Sequence, residues 1–237
     1  MNAETEQTYD LHHVNEWIFD LDNTLYPRHA DLMAQIDVKM TNFVARLTDL
    51  DFDPARKLQK DLYHKFGTTL HGLMHHYDID PHEYLKDVHD IDYSSLAPNP
   101  LLGDLIMALP GRKHIFTNGD IRHAEKTIEA LGIDGIFDEM FDIVAADFEP
   151  KPARESYNKF LSTFDINPVE AVMFEDMPRN LEVPKALGMA TVLITPQAGG
   201  AYVAENWETE VGDDAHIDFS GDDINKILAG IVTELTM

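Results

Sequence analysis

The chain has 237 residues, 44% of them hydrophobic, which is enough for one large domain or two smaller ones with buried cores. Its 43 acidic residues against 18 basic ones give a formal net charge of −25, which repels the phosphates of nucleic acids and of anionic membranes. It contains no cysteine, so disulfides, thiolate metal sites and a cysteine nucleophile are excluded.

No part of the sequence has the pattern of a membrane span or of a secretory leader. No apolar run reaches 18 residues, and the N-terminal segment MNAETEQTYDLHH lacks both a basic start and an apolar stretch. We therefore expect a cytoplasmic protein with no membrane or nucleic-acid partner, while its oligomeric state stays open. A metal in such a chain must have oxygen or imidazole ligands, which favours a hard cation.

Five short apolar runs have the character of buried strands. They are Trp17–Phe19, His114–Phe116, Phe141–Val144, Ala171–Phe174 and Thr191–Ile194. Helical patterns separate the later runs: one has Asp120 as its N-cap and stops at Gly132, and the next covers residues 153–164. Pro184 lies inside a further pattern, which predicts a kink or a late helix start. This alternation predicts an α/β fold with a doubly wound parallel sheet, which binds ligands at the carboxyl ends of its strands.

The pattern changes between Tyr26 and about Pro100, where no strand is predicted. Helical patterns cover residues 32–47, 54–65, 69–76 and 81–88. We predict an all-helical cap domain, residues 26–98, inserted into an α/β core domain made of residues 1–25 and 99–237. Because the insertion follows the first strand directly, we expect the cap to cover the carboxyl end of that strand. The acidic segment after about Gln197, with Gly199-Gly200, indicates no function.

The predicted strands and turns end in side chains that are useful for chemistry. These are Asp20 and Asp22 after the first strand, Thr117-Asn118 after the second, Glu175-Asp176 after the fourth, and Lys151-Pro152 in a turn. In a parallel sheet they would meet at one edge. Crowded carboxylates repel each other, so we expect a Mg²⁺ ion among them, with its remaining positions left to water and phosphate. Phosphoryl transfer fits this set of groups.

The motifs DLDNTLY, FTN, KP and FEDMPRN occur in this order, with a helical insert after the first. In these motifs the sequence resembles the haloacid dehalogenase superfamily, over about residues 18–194. The segment DLYHKFGTTLHGL, residues 61–73, is similar to the cap of the pyrimidine 5′-nucleotidase branch. The resemblance implies a Mg²⁺-dependent phosphomonoesterase that acts on nucleoside 5′-monophosphates, with pyrimidine nucleotides as the expected substrates.

The resemblance also implies the catalytic roles of the motif residues. Asp20 would be the nucleophile that forms an aspartyl phosphate, and Asp22 would be first the general acid and then the base. In an extended strand two such side chains point the same way, about 7 Å apart. Thr117 and the Asn118 N–H would bind phosphoryl oxygens. Lys151 would neutralise their charge and restrain Asp20.

A magnesium site is implied in the same way. Asp20, the main-chain carbonyl of Asp22 and Asp176 would hold the Mg²⁺ ion, and Glu175 would be a further or water-mediated ligand. Met177 departs from the family pattern, which often has a small hydroxyl residue there. That difference removes one possible hydrogen bond near the metal.

Each motif taken alone has a more ordinary interpretation. A DxD sequence also begins calcium loops, but an EF-hand needs glycine where Leu25 stands and glutamate where Asp31 stands. His71 and His75 have the spacing of a helical metal site, yet no third ligand has an obvious spacing, which favours a packing or surface role. It is the joint occurrence of the motifs after apolar runs that indicates a catalytic site.

The sequence leaves alternative functions open. A sugar-phosphate phosphatase or phosphomutase of the same fold would share the core residues, so cap residues such as Tyr63 and His71 would have to discriminate. A non-catalytic acidic binding protein would be marked by loss of Asp20, Asp22 or Lys151, and all three are present. Dehalogenation is disfavoured because it needs no acid to protonate a leaving group. The expected partner is therefore a small-molecule phosphate monoester.

Overall fold

A six-stranded parallel sheet lies at the centre of the protein, in a computed structural model that describes residues 10–197, 205 and 214–237. The strands are β1 (Glu16–Phe19), β2 (Arg112–Phe116), β3 (Glu139–Phe141), β4 (Ala171–Glu175), β5 (Ala190–Ile194) and β6 (Phe219–Gly221). Their order is β3-β2-β1-β4-β5-β6, and each neighbouring pair is parallel. The predicted α/β fold is confirmed. Gly199-Gly200 and the first nine residues lie outside the described residues.

The described residues form nine α-helices. They are α1 (Leu32–Thr48), α2 (Phe52–Phe66), α3 (Thr69–His76), α4 (Pro81–Val88), α5 (Pro100–Ala108), α6 (Ile121–Leu131), α7 (Arg154–Phe164), α8 (Glu182–Leu187) and α9 (Ile224–Leu235). Helices α1 to α4 occupy the stretch where helices alone were predicted. As predicted, Asp120 caps α6 by accepting a hydrogen bond from the His123 N–H, and Gly132 ends this helix with a φ of 68°. None of the described helices is long and apolar enough to cross a bilayer.

The strand order reverses between β1 and β4. From β1 the chain adds β2 and β3 on one side, and then places β4, β5 and β6 on the other. At such a reversal the carboxyl ends of the neighbouring strands border a crevice, where open α/β sheets bind ligands. Asp20 and Asp22 leave β1 at this crevice, beside Glu175 at the end of β4.

Both faces of β1 are buried, as expected for a strand in the middle of a parallel sheet. Trp17 and Phe19 belong to an apolar cluster that includes residues of α5, α6 and α9. Ile18 points to the other face and belongs to a cluster that includes Tyr157 and Phe160 of α7. Burial on both sides fixes the position of the strand end that leads to Asp20.

Helices α1 to α4 pack around an apolar cluster of their own. Its buried members include Val44, Leu62, Leu73 and Tyr84, and it extends to Ile143 in the loop after β3. The helices therefore bury their apolar faces mainly against each other and against this loop, rather than on the sheet.

Two strands differ from their predictions. The third strand is Glu139–Phe141 rather than Phe141–Val144, because Asp142 accepts hydrogen bonds from the main-chain N–H groups of Ile121 and Ala145 and turns the chain towards the insertion. Strand β6 was not predicted, since three residues that include a serine and a glycine form no apolar run.

Pro184 is accommodated by a late helix start, as predicted. A short 3₁₀ segment, Pro178–Leu181, precedes α8, which begins at Glu182. Pro184 therefore lies in the first turn of α8, where a missing N–H group leaves no helical hydrogen bond unmade.

Gly111 and Gly135 form a matched pair for testing the start of β2. Both have a positive φ, of 73° and 76°, but a Cβ on Gly111 would lie 2.0 Å from the Asn15 backbone oxygen, whereas one on Gly135 would meet nothing within 4 Å. We expect Gly135→Ala to cost about 1–2 kcal/mol of unfolding free energy through backbone strain. Gly111→Ala should cost about 1–3 kcal/mol more, because a backbone oxygen cannot move aside.

Denaturant unfolding of the two variants measures this difference. Equal losses would contradict the close approach of the Gly111 turn to Asn15. That approach matters because the Asn15 carbonyl accepts a hydrogen bond from the Arg112 N–H at 2.8 Å, which helps to set the register of β1 and β2.

Candidate active site

A buried ammonium group lies between the ends of β1 and β4. Lys151 is 1% exposed, and its Nζ donates hydrogen bonds to Asp20 Oδ1 at 2.7 Å, to Glu175 Oε1 at 2.9 Å and to the Phe116 carbonyl oxygen at 2.8 Å. These three bonds use all its protons. Burial opposes the charged form, but Asp20 and Glu175 outweigh it and hold the pKa of Lys151 above its ordinary value. Lys151 is thus a fixed positive charge beside Asp20.

The side chain of Asn118 holds the backbone of Lys151 in place. Its Oδ1 accepts a hydrogen bond from the Lys151 N–H at 2.8 Å, and its Nδ2 donates to the Lys151 carbonyl oxygen at 3.2 Å. On the same turn, the buried Thr117 hydroxyl accepts a hydrogen bond from the Gly119 N–H at 2.9 Å. This role of the Asn118 side chain was not predicted, because spacing in the sequence does not reveal which distant backbone a side chain meets.

Asp20, Glu175 and Asp176 form a buried carboxylate cluster. One oxygen atom of each lies within 4.8 Å of the others, and no other described residues form such a group of potential metal ligands. Burial raises the pKa of Asp20 to about 7, with Lys151 opposing the shift and Glu175 adding to it. Burial, together with Glu175 and Asp20, also raises the pKa of Asp176 well above its ordinary value. The cluster therefore has more negative charge than its protein partners neutralise.

The donor set fits a hard divalent cation. All the candidate ligands are carboxylate oxygens, which Mg²⁺ and Ca²⁺ prefer, and a cation would offset the excess negative charge. Glu175 accepts three hydrogen bonds, from Lys151 and Asn180 at Oε1 and from the Met177 N–H at Oε2, whereas Asp20 accepts two and Asp176 one from the described residues. Asp20 and Asp176 are therefore the better candidates for direct ligands.

Arg28 is a site residue that was not predicted. Its Nη2 donates a hydrogen bond to Asp176 Oδ2 at 3.0 Å, and both side chains are largely buried. A basic residue just after Pro27 has the pattern of an ordinary surface turn, so the sequence contained no signal for this contact. Arg28 supplies part of the positive charge that Asp176 needs.

Asp22 is held by two residues that were also not predicted to belong to the site. The Tyr26 hydroxyl donates a hydrogen bond to Asp22 Oδ1, and His123 Nε2 lies 2.7 Å from the same oxygen. Burial alone would raise the pKa of Asp22, but His123 and Tyr26 outweigh this effect and leave the pKa below its ordinary value. Asp22 is therefore ionised at neutral pH and accepts both hydrogen bonds.

A pocket connects these side chains with the inserted helices. One wall contains Asp20, Asp22, Thr117 and Lys151. The other wall comes from the inserted helices and combines apolar side chains, namely Met33, Ile36, Met40, Leu70, Leu85 and Val88, with polar ones that include Asp37, Lys60 and Thr69. Gln59 also borders the pocket, and its buried Oε1 has no hydrogen-bond partner among the described residues.

The structure also shows the surroundings of His71, His75 and Met177. His71 and His75 pack with their ring centroids 6.3 Å and 5.1 Å from that of Phe66, and neither belongs to a potential metal group among the described residues, in line with the expected packing role. Met177, where a small hydroxyl residue is common, instead accepts a hydrogen bond at its Sδ from the Tyr63 hydroxyl of α2 at 3.4 Å. This contact links the end of β4 to the insertion.

Comparisons with curated proteins give two partial relatives. Phosphate metabolism protein 8 of Saccharomyces cerevisiae is 28% identical over 134 residues, which cover 52% of this chain and 41% of that protein. Fructose-1-phosphate phosphatase YqaB of Escherichia coli is 28% identical over 123 residues, which cover 48% of this chain and 63% of that protein. In both cases the match spans less than two thirds of the relative.

Solved structures resemble the whole fold at low identity. CbbY from Rhodobacter sphaeroides, in complex with phosphate, has a TM-score of 0.61 at 19% identity and covers 92% of this chain and 98% of that one. L-2-haloacid dehalogenase from Xanthobacter autotrophicus has a TM-score of 0.58 at 14% identity, with the same coverage of 92% and 98%. These likenesses show the fold alone.

A family model supplies the assignment. The model of haloacid dehalogenase-like hydrolases matches residues 17–188, from β1 to the end of α8, and so includes every side chain of the carboxylate cluster. On this match, which covers well over half of the sequence, the chain belongs to the haloacid dehalogenase-like hydrolases.

Proposed function

We propose that the protein is a Mg²⁺-dependent phosphatase that hydrolyses small-molecule phosphate monoesters through an aspartyl phosphate on Asp20. The observation that carries this proposal is the buried Asp20 carboxylate, held by Lys151 at 2.7 Å where the strand order reverses. Burying such a pair is costly and apolar residues can often replace it without loss of stability, so its presence favours a chemical role over that of a binding protein that merely kept the fold. The names of the two curated relatives, which refer to phosphate metabolism and to a phosphatase, support the same chemistry.

In the proposed first step, Asp20 attacks the phosphorus atom and the ester oxygen departs. Lys151 holds Asp20 Oδ1, and the Thr24 hydroxyl donates a hydrogen bond to Oδ2 at 3.2 Å, so the nucleophile is already oriented. The Thr117 hydroxyl and the Asn118 N–H would bind phosphoryl oxygens. Lys151 would offset part of their negative charge.

Asp22 would handle the proton in both steps. It lies two residues after Asp20, beside the nucleophile but not on it, as a general acid must. A phosphate group next to Asp22 raises its pKa through charge repulsion, which favours the protonated form that the leaving oxygen needs. Once that oxygen has taken the proton, the Asp22 carboxylate is the base for the water that hydrolyses the aspartyl phosphate.

Asp20, Asp176 and the main-chain carbonyl of Asp22 would hold the proposed Mg²⁺ ion, and Glu175 would be a further or water-mediated ligand. The support for this site is the all-oxygen donor set and the raised pKa values of Asp20 and Asp176, which burial and the neighbouring carboxylates cause and which a bound cation would oppose. When bound, Mg²⁺ would supply electrostatic stabilisation of the phosphoryl oxygens.

Residues 26–98 would act as a cap domain over a core made of residues 1–25 and 99–237. Helices α1 to α4 have their own apolar cluster and contribute most of the apolar pocket wall, which supports this division. Closure of the cap would exclude water from the first transfer and would be followed by opening for product release.

Nucleoside 5′-monophosphates, with pyrimidines preferred, are the proposed substrates. The apolar side chains in the pocket wall suit the flat, largely apolar face of a base. The unpaired Gln59 Oε1 would accept a hydrogen bond from an N–H group at the edge of the base.

A sugar-phosphate phosphatase is the second candidate. The observation that favours it is the 28% identity to fructose-1-phosphate phosphatase YqaB over 48% of this chain. It would use the same core residues, and the groups on the pocket wall would then meet sugar hydroxyls instead of a base.

Phosphate release in the presence of Mg²⁺ from UMP, CMP, AMP, GMP and fructose 1-phosphate tests the proposed function. We expect the fastest turnover of UMP and CMP, and a loss of about 10⁴-fold or more in kcat for Asp20→Asn, since removal of a nucleophile abolishes the covalent route. Asp61→Asn, which alters an exposed carboxylate paired with Lys57 on α2, is the matched control and should retain activity.

Three other results would be informative. A preference for fructose 1-phosphate would keep the chemistry and replace the substrate class. Full activity of a folded Asp20→Asn variant would refute the covalent mechanism. Chloride release from 2-chloropropionate without phosphate release from any ester would refute phosphatase activity altogether.

The pH dependence of stability tests the excess negative charge around Asp20. The pKa of Asp20 is about 7 in the folded protein against an ordinary 3.8, so the folded state binds more protons than the unfolded state between these values. The contribution of Asp20 to stability must therefore fall as the pH rises from about 4 to about 7, whereas His89 and His114, whose pKa values burial lowers, contribute in the opposite direction in the wild type and in Asp20→Asn alike. With a chelator present, the unfolding free energy of the wild type should fall more over this range than that of Asp20→Asn, because the side chain at position 20 of the variant cannot ionise.

Denaturant unfolding at the two ends of this pH range measures the effect. Mg²⁺ should restore stability to the wild type near neutral pH more than to Asp20→Asn, because it neutralises the ionised cluster. Parallel pH profiles for the two proteins would contradict a raised pKa at Asp20.

A further inference from the structure

His123, in the first turn of α6, contacts Asp22. Its side chain is 0% exposed, and its main-chain N–H donates a hydrogen bond to Asp120 Oδ1 at 3.0 Å, which anchors this turn. His123 Nε2 lies 2.7 Å from Asp22 Oδ1, the same oxygen that accepts the hydrogen bond from Tyr26. None of the residues that the structure describes hydrogen-bonds the second oxygen, Oδ2. One oxygen of Asp22 is thus held from two sides while the other is left for the substrate.

The other side of the His123 ring is held as well. Its Nδ1 lies 2.9 Å from the Tyr93 hydroxyl, which also lies 3.2 Å from the His89 carbonyl oxygen. The His89 ring stacks on the His123 ring, with 4.5 Å between centroids and 12° between planes, and its Nδ1 lies 2.9 Å from Asp120 Oδ1. Because both ring nitrogens of His123 have partners and one face is stacked, its ring has little freedom to rotate.

Gly119 leaves room for this arrangement. A Cβ on Gly119 would lie 3.1 Å from His123 Cδ2 and 3.3 Å from the Thr117 hydroxyl oxygen. Both distances are tighter than ordinary van der Waals contact. The chain therefore has no side chain at the point where His123 comes close to the turn that would bind phosphate.

We propose that His123 is a positioning residue that holds Asp22 through Oδ1, so that Oδ2 faces the leaving-group oxygen of the substrate. The proposal rests on the phosphatase chemistry above, in which Asp22 gives a proton to that oxygen. A general acid must lie within hydrogen-bond reach of the atom it protonates, and a carboxyl group free to rotate spends less time there. His123 acts through Asp22 and does not itself contact the substrate.

The nature of the leaving group distinguishes this role from a purely structural one. The 5′-oxygen of a nucleoside is a poor leaving group and needs a proton as its bond to phosphorus breaks. The p-nitrophenolate anion is stable and departs without one. A defect in the position of Asp22 must therefore slow the alkyl ester more than the aryl ester, whereas a defect in folding or phosphate binding must slow both.

Two variants of His123 differ in whether they reach Asp22. The side-chain nitrogen of His123→Gln can occupy the position of Nε2, whereas His123→Asn is too short and reaches only the position of Nδ1. Single-turnover reactions with Mg²⁺, using UMP and p-nitrophenyl phosphate, follow the first step alone. If another alkyl phosphate is the better substrate of the wild type, it replaces UMP.

We expect His123→Asn to slow nucleoside release by about 10–100-fold and p-nitrophenol release by less than about 3-fold, as for partial loss of a general acid. His123→Gln should recover much of the rate with UMP. If His123→Asn does not fold, His123→Ala takes its place.

His114 is the matched control. It is also 0% exposed, and its Nε2 lies 2.8 Å from Glu16 Oε2 on β1, away from Asp22. His114→Gln should change the rates with UMP and with p-nitrophenyl phosphate by the same factor. The proposal would be overturned if His123→Asn slowed both esters equally or slowed neither. It would also be overturned if His114→Gln slowed the alkyl ester more than the aryl ester to the same extent as His123→Asn.

Failure of the proposed function is recognised separately. A wild type that releases phosphate from no ester, or an active Asp20→Asn variant, refutes the phosphatase chemistry before His123 is considered. An active wild type with an inactive Asp20→Asn variant upholds that chemistry, and the two leaving groups then decide the role of His123 alone.

Discussion

The buried ammonium group of Lys151 is the constraint on which the active site depends. Its hydrogen bonds reach the residue after β1, the last residue of β2 and the last residue of β4, through Asp20, the Phe116 carbonyl and Glu175. Removal of one partner from a buried ion pair typically costs about 3–5 kcal/mol, because the remaining charge is left uncompensated. The hydrogen bonds by which Lys151 offsets the charge of Asp20 and Glu175 therefore also keep three strand ends together. The stability of the sheet edge and the position of Asp20 depend on the same contacts.

The reversal of strand order explains why the charges meet where they do. Strands β1 and β4 are neighbours in the sheet although they are far apart in the chain, so the acids that follow them face the same crevice. The three carboxylates of the cluster outnumber their partners Lys151 and Arg28, and burial together with this crowding raises the pKa values of Asp20 and Asp176. A site of this kind favours the approach of a cation, and with it an anionic substrate that the chain, at a net charge of −25, would otherwise repel.

The carboxylate cluster and the apolar side chains of the pocket wall come from different parts of the chain. The sheet and its turns contribute the carboxylates, the ammonium group and the Thr117 hydroxyl, whereas α1, α3 and α4 contribute the apolar wall. The two parts meet through apolar contacts around Ile143 and through polar contacts such as the hydrogen bond from Tyr63 to Met177 and the ion pair of Arg28 with Asp176. In the proposed phosphatase, changes in α1, α3 and α4 would therefore alter which ester fits more than they would displace Asp20 or Lys151.

The sequence by itself determined the α/β fold, the helical stretch after the first strand and the set of polar residues at the strand ends, because apolar periodicity and turn residues are properties of short segments. Parallel pairing then brings those residues to one edge. Only the tertiary structure decided which side chains hold them: Arg28 meets Asp176 across 148 positions, and His123 meets Asp22 across 101. It also decided where β3 ends and that β6 exists. Periodicity indicates which face of a segment is buried. The contacts of Arg28 and His123 depend instead on how separate helices and strands pack, and no pattern within a short segment predicts that packing.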